Sequence, residues 1–260
     1  KVDGKTLFDE FSRGRYSTDA SVYQIKPLGV VLPKDTNDVL NLMEYSQKNS
    51  VPLLARGGGS SQCGQTVGES VVLDYSKHQN KILELNVEEK YVWVQPGVVL
   101  DHLNDYLKPH GLWFPVDVST SSRATIGGMS ANNSCGSRSL YYGNMVHNVL
   151  AIEAILDDGS VFNFDQINKN YLATKNNQDR LYKIIDKFID IRQKVGSEID
   201  ANWPTTQRRV GGYNIDLIDP EGFNSSNLLV GSEGTLSLFN KIKLKLSEIP
   251  KNKILGVCYF

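Results

Sequence analysis

Three cysteines in 260 residues, Cys63, Cys135 and Cys258, are too few and too dispersed for a disulfide framework. No C-x-x-C pair occurs, which excludes an iron–sulfur or zinc cluster built within this segment, and unpaired thiols fit a reducing compartment. Neither sign of charge dominates. With 28 Lys+Arg against 29 Asp+Glu the net charge is −1, so a basic groove for nucleic acid is not implied. No apolar run approaches the ~20 residues of a membrane-crossing helix. Internal repeats, low-complexity tracts and blocks of like charge are absent as well. The first residues, Lys1-Val2-Asp3-Gly4, read as neither a signal nor a transit peptide. The cytoplasm is therefore the expected location, with peripheral attachment to an inner membrane left open.

What is present is a chain 40% hydrophobic, long enough for one large domain or two small ones. The start without Met and the apolar finish from Lys253 to Phe260 predict a segment of a longer protein, its last strand leading into a further domain. Val30-Val-Leu32 reads as a strand stopped by Pro33. A helix capped by Asp35 or Thr36 follows, with Val39, Leu40, Met43 and Tyr45 at helical period, and then the strand Val51–Ala55. This β-α-β unit runs straight into three consecutive glycines. Short strands are expected at 71–74, 81–85 and 91–95, and a helix at 99–107. Beyond them lie strands at 149–156 and 161–164, an amphipathic helix at 179–194, and strands at 228–230 and 236–246. The expected fold class is α+β with mixed sheets in two lobes, residues 1–95 and 96–250, and residues 251–260 opening a further domain.

Two loops could carry chemistry. In Arg56-Gly-Gly-Gly-Ser-Ser-Gln-Cys-Gly-Gln65 the glycines free the backbone of side-chain bulk, so that successive N–H groups can face one anion. Ser60 and Ser61 add small hydroxyl donors. Residues 59–66 have the spacing of a nucleotide phosphate loop, but Gln65 stands where that loop needs lysine, which disfavours nucleoside triphosphate hydrolysis. The dinucleotide fingerprint lacks its third glycine. The second loop, from Pro115 to Arg138, is rich in Ser, Gly and Asn. Its Gly127-Gly128 suits a helix start that lets a planar or diphosphate ligand touch the backbone.

These stretches resemble the vanillyl-alcohol oxidase / p-cresol methylhydroxylase family of flavoproteins, and within it the FAD-linked 2-hydroxy-acid dehydrogenases. The similarity lies in Arg15–Ser21 with Pro33, in Arg56–Ser61 with Gly64-Gln65, in Thr125-Ile-Gly-Gly128 with Asn133, Gly136, Ser137, Arg138, Tyr142 and Gly143, and in Val230-Gly-Ser-Glu-Gly-Thr-Leu236. The resemblance implies a two-subdomain FAD-binding domain. Arg56, Gly57, Gly58, Gly59, Ser60, Ser61, Gly64 and Gln65 would form the diphosphate side. Asp117, Ser119, Ala124, Thr125, Gly127, Gly128, Asn133 and Gly136 would line the other, and Glu233 would be either a turn cap or a pocket residue. It also implies FAD held without a covalent bond, because Ser60 and Arg123 occupy the places where tethering relatives carry His or Cys.

By the same resemblance the substrate is a small 2-hydroxy acid of the D-lactate, glycolate or D-2-hydroxyglutarate class. The base that attacks it lies in a C-terminal cap domain, whose His-rich motif this chain lacks, and an iron–sulfur domain or subunit is a further partner that the resemblance allows. A non-catalytic flavin module and a phosphate-loop nucleotide binder remain the alternatives. Arg138, Arg208 and Arg209 could pair with a substrate carboxylate. The four histidines have no mutual spacing for a metal, and Tyr141 and Tyr142 are expected to pack.

Overall fold

A computed structural model describes residues 1–173, 179–252, 254 and 256–259. The first lobe contains β1 (Lys5–Leu7), α1 (Glu10–Arg15), β2 (Gly29–Leu32), α2 (Thr36–Asn49), β3 (Leu53–Arg56) and β4 (Val71–Asp74). Its sheet has the order β1-β2-β4-β3, parallel except for β1. Parallel strands covered on both faces need unbroken apolar runs. Val30, Val31, Val72 and Leu73 meet that need, each no more than 1% exposed. Asp35 caps α2 by accepting from the N–H groups of Asn37 and Asp38, and Ser50 ends it in the left-handed region. The buried stripe is Val39, Leu42 and Met43, whereas Tyr45 faces solvent.

Asp38 ties the N-terminus to this helix. Its carboxylate accepts from the backbone N–H groups of Asp3, Gly4 and Lys34 at 2.7–2.8 Å. Burial alone would raise this carboxyl, but the three N–H donors outweigh it and hold its pKa below the ordinary value. A depressed folded pKa contributes stability above the unfolded value of about 3.9 that is lost as pH falls through the folded one. Asp38→Ala should therefore cost roughly 2–4 kcal/mol in urea unfolding at neutral pH. The gap from wild type should narrow as pH falls below the ordinary carboxylate value of about 3.9. A constant gap across pH would contradict this.

The second lobe follows with β5 (Ile82–Asn86), β6 (Tyr91–Val94), α3 (Leu100–Leu107), β7 (Leu112–Trp113), α4 (Ile126–Ala131), α5 (Ser139–Tyr142), α6 (Met145–Asn148), β8 (Val149–Ile155), β9 (Val161–Phe164) and β10 (Gln166–Asn168). Then come α7 (Lys169–Ala173), α8 (Arg180–Lys194), α9 (Gly196–Asn202), β11 (Gly222–Asn224), β12 (Leu238–Lys245) and β13 (Ser247–Glu248). An antiparallel sheet of order β5-β6-β12-β8-β9 forms its centre, flanked by the pairs β10-β11 and β7-β13. Val92, Val94, Ile152, Ile242 and Leu244 build the core with Leu103 and Leu107 of α3 and Ile126 of α4. Ile155 and Leu238 instead join Val31, Leu73 and α2, so the lobes share packed side chains.

The structure departs from the sequence reading in places. By sheet membership β5 and β6 belong to the second lobe, so the two sheets part between Asp74 and Ile82, ahead of residue 95. The apolar run 228–230 is no strand. A 3-10 turn occupies Ser225–Leu228, because Asn224 accepts from the Ser226 N–H and diverts the backbone. Of the strand expected at 253–260, residues 253, 255 and 260 lie outside the described residues, and the described ones form none. Tyr142 meets Trp113 and Tyr141 edge to face, with centroids 5.4 and 4.8 Å apart, and Tyr141 is otherwise exposed.

Candidate functional site

In a parallel sheet, ligands sit beyond the carboxyl ends of the strands. Here β3 ends at Arg56 and β4 at Asp74, side by side in register, and both ends open on a cleft of about 1020 Å³ between the lobes. The glycine loop forms one wall, with Gly57, Gly58, Gly59, Ser60, Ser61 and Gln65 on its surface. Asp117, Ser119, Ala124, Thr125, Gly127, Gly128, Asn133 and Gly136 face it from the second lobe, and Glu233 stands on the turn that follows Val230. Of the expected site residues, Gly64 alone is outside the lining. Its backbone is left-handed (φ 82°), and a side chain there would strike the Tyr23 ring.

Among the described residues no acceptor bonds the backbone N–H groups of residues 58–62. Five consecutive donors on a cleft wall are thus left unpaired, which is what an anion nest requires. Arg56 beneath them is committed elsewhere: its guanidinium donates to the carbonyls of Thr18 (2.8 Å), Thr66 (3.1 Å) and Tyr16 (3.3 Å), splinting both ends of the loop to the entry segment.

The glycines serve a purpose that the sequence did not show. A Cβ on Gly57 would lie 2.0 Å from Thr125 Oγ1, and one on Gly58 would lie 2.2 Å from the Arg123 carbonyl. A Cβ on Gly127 would meet Pro96 at 2.5 Å, and one on Gly136 the Asp117 carbonyl at 1.9 Å. Close packing of loop on loop thus requires glycine at all four positions. The start of α4 is likewise closed by protein, because the N–H groups of Ile126 and Gly127 donate to the Val98 and Pro96 carbonyls. That differs from the expected ligand contact at this helix start. Asp117 locks the neighbouring turn, accepting from Ser137 Oγ at 2.7 Å and from the Arg138 N–H at 3.0 Å.

Three buried polar atoms of cleft residues lack a protein partner: Tyr75 OH, Asn133 Nδ2 and Ser237 Oγ. Asn133, fully buried at φ 53°, uses its Oδ1 to accept from the Val146 N–H. Glu233 is also left-handed (φ 53°) between Gly231 and Gly234, and its turn is strapped to α4 by Gly231 N–H to the Ser130 carbonyl and Glu233 N–H to the Ala131 carbonyl. Its Oε1 accepts from Gln65 Nε2 at 3.2 Å, joining the two walls. The apolar lining from Leu53, Tyr75, Pro96 and Phe239 was not among the expected residues. The β-α-β pattern could have found Tyr75, since it follows β4 just as Gly57 follows β3.

The sequence profile described as "FAD binding domain" matches residues 27–165, just over half of the chain and including both loops. The chain belongs to this FAD-binding domain family. The chain is also 36% identical over 255 residues to D-2-hydroxyglutarate dehydrogenase of Haemophilus influenzae, covering 92% of this chain and 24% of that protein. It is 36% identical over 261 residues to the protein of the same name from Pseudomonas putida (97% and 26%). Glycolate oxidase subunit GlcD of Bacillus subtilis is 29% identical over 257 residues (97% and 44%). The chain thus spans about a quarter of the dehydrogenases it matches. A solved alkyldihydroxyacetonephosphate synthase shares the fold, with a TM-score of 0.67 at 19% identity, over 95% of this chain and 38% of that one.

The residues present fit FAD. The FAD-binding domain offers an amide nest for a diphosphate, an apolar wall for a ring, and unpartnered buried donors for polar edges. The remaining ionisable groups stand apart. Arg209 pairs with Asp216 at 2.6 Å, Arg138 stacks on Trp113, and Arg208 donates to the sulfur of the cleft residue Cys135 at 3.1 Å. His147 closes the capping box of α6, and no histidine is among the described residues that line the cleft. Among the described residues no group of three potential ligands could hold a metal ion, and no helix is long and apolar enough to cross a membrane.

Proposed function

We propose that this chain is the FAD-binding part of a flavin-dependent oxidoreductase that oxidises a small 2-hydroxy acid. The run of unpaired N–H groups at 58–62 carries the proposal for the cofactor. The substrate class rests on the relatives, whose names join D-2-hydroxyglutarate, glycolate and D-lactate, all 2-hydroxy acids. When bound, FAD would supply the acceptor for a hydride from the hydroxyl-bearing carbon. The chain's own residues hold and orient it: the unpaired N–H groups at 58–62 take the diphosphate and Ser60 and Ser61 add hydroxyl donors, while Asn133 Nδ2, Tyr75 OH and Ser237 Oγ lie buried in cleft residues without a protein partner. With Ser60 and Arg123 at the tethering places, FAD is held without a covalent bond.

Positioning of the substrate and removal of its hydroxyl proton fall to a cap domain elsewhere in a longer protein. Of the charged groups in the cleft, Arg56 is turned to carbonyls and Asp117 to the 137–138 turn. Arg208, which donates to the sulfur of the cleft residue Cys135, is the cation this reading offers to a substrate carboxylate. Loss of a general base costs ~10²–10⁴ in rate, and loss of positioning adds to it. The FAD-loaded chain mixed anaerobically with D-lactate, D-2-hydroxyglutarate or glycolate should therefore keep its flavin oxidised for minutes. Rapid bleaching by any of them would put the base inside residues 1–260.

A further inference from the structure

Among its described lining residues the cleft has no cation free to meet a dianionic diphosphate. Arg56 is the one positively charged residue among its described lining residues, and its guanidinium faces three backbone carbonyls. Two carboxylates share the space. Both oxygens of Asp117 already accept hydrogen bonds, whereas Glu233 receives a single bond from Gln65 Nε2, whose Oε1 in turn accepts from the Ser61 hydroxyl. Ser61, Gln65 and Glu233 thus form a chain from the anion nest to the opposite wall. Glu233 cannot retreat by relaxing its backbone, because the strapped turn holds it at φ 53° between two left-handed glycines.

An anion entering the nest therefore brings negative charge into a cleft shared with a carboxylate that no cation offsets. Like charges confined together favour protonation of the weaker acid. We propose that loading of FAD is coupled to uptake of one proton from solvent by the Glu233 carboxylate, and that release of FAD returns it. This rests on the cleft being the FAD site. Glu233 as a residue is exposed, but partial burial of its carboxyl against the cleft wall lifts it above the ordinary glutamate value in the free chain, and the Gln65 hydrogen bond offsets only part of that. The groups facing Glu233 are neutral: Gln65 and Ser61 from the glycine loop, and the Ala131 carbonyl from α4. The other titratable groups near the cleft are occupied, are thiols, or, at Tyr75, are a phenol that burial keeps protonated. Tyr213 is bonded to Thr235, Arg208 to Cys135, Asp117 to its turn, and Cys63 lies in the loop. Among the described residues Glu233 has no ion-pair partner.

Isothermal titration of the 260-residue chain with FAD, in two buffers of different ionisation enthalpy, reads the proton directly. A suitable window lies at about pH 6–7.5, between the ordinary carboxylate and thiol ranges. Net proton uptake is expected, with Kd rising by up to about tenfold per pH unit. Glu233→Gln, which keeps the size and the hydrogen-bonding end, should bind FAD with a Kd flat in pH and equal heats in the two buffers. Buffer-independent heat and a flat Kd in the wild-type chain would overturn the coupling, as would unchanged proton uptake in Glu233→Gln; the wild-type result stands whether or not the variant folds. Failure of FAD to bind at any pH would overturn the cleft assignment itself, and the coupling with it.

Discussion

Gly58→Ala is expected to lower FAD affinity at least about a hundredfold and to destabilise the fold by about 1–3 kcal/mol, the range for overpacking. The methyl group would lie 2.2 Å from the Arg123 carbonyl, a backbone atom that cannot swing away. Either the glycine loop lifts off the second lobe or the 120–125 segment shifts, and both moves disturb the nest at 58–62. Gly58→Asp adds like-charge repulsion of the diphosphate to the same collision. An acidic replacement that spoils binding but spares the fold, as the glycine run alone suggests, is therefore not expected. Gly68→Ala is the control: its added methyl would meet nothing nearer than 3.7 Å. Differential scanning calorimetry with a parallel FAD titration checks both effects. A Gly58→Ala chain of wild-type melting temperature and wild-type affinity would remove the loop-on-loop contact from the account.

The second large effect is expected at Asn133, which is fully buried, left-handed and half-paired. Asn133→Asp keeps the acceptor for the Val146 N–H and tolerates the backbone. It replaces the free Nδ2 donor by an oxygen and places an ionisable carboxyl where no cation compensates it. Burial should raise that carboxyl in the folded state. A raised folded pKa means full stability below the unfolded value of about 3.9 and a loss that grows as pH climbs to the folded one. The variant should therefore unfold several degrees below wild type at pH 8 and approach it at about pH 4, with FAD affinity at neutral pH down more than about tenfold. Equal melting temperatures at both pH values would show that position 133 is open to solvent or paired.

Much of the first lobe was legible because its signals are local. A four-residue apolar strand, an Asp cap, a helical stripe and a following Pro are read from neighbours in the chain, and the capped α2 lies where they point. The second sheet was less legible. Strand β5 pairs with its neighbour β6, but β6 pairs on its other side with β12, some 150 residues downstream, and nothing in 82–94 names that partner. Leu228, Leu229 and Val230 are all buried, as an apolar run suggests, yet Asn224 Oδ1, accepting from the Ser226 N–H and hydroxyl, turns the backbone out of a strand. At the cleft the glycines drew attention to the right segments for an incomplete reason. Composition shows that a backbone must be approached closely, but not by what. At Gly57, Gly58, Gly127 and Gly136 the approaching atoms belong to the protein itself.

Hydrogen exchange of the backbone amides with and without FAD tests the central claim most directly. The N–H groups of residues 58–62 have no protein acceptor, so in the free chain they should exchange quickly. On saturation with FAD their exchange should slow together, by at least about tenfold, while the already bonded N–H groups of Ile126 and Gly127 change little. Stoichiometric FAD binding with exchange at 58–62 unchanged would contradict the account.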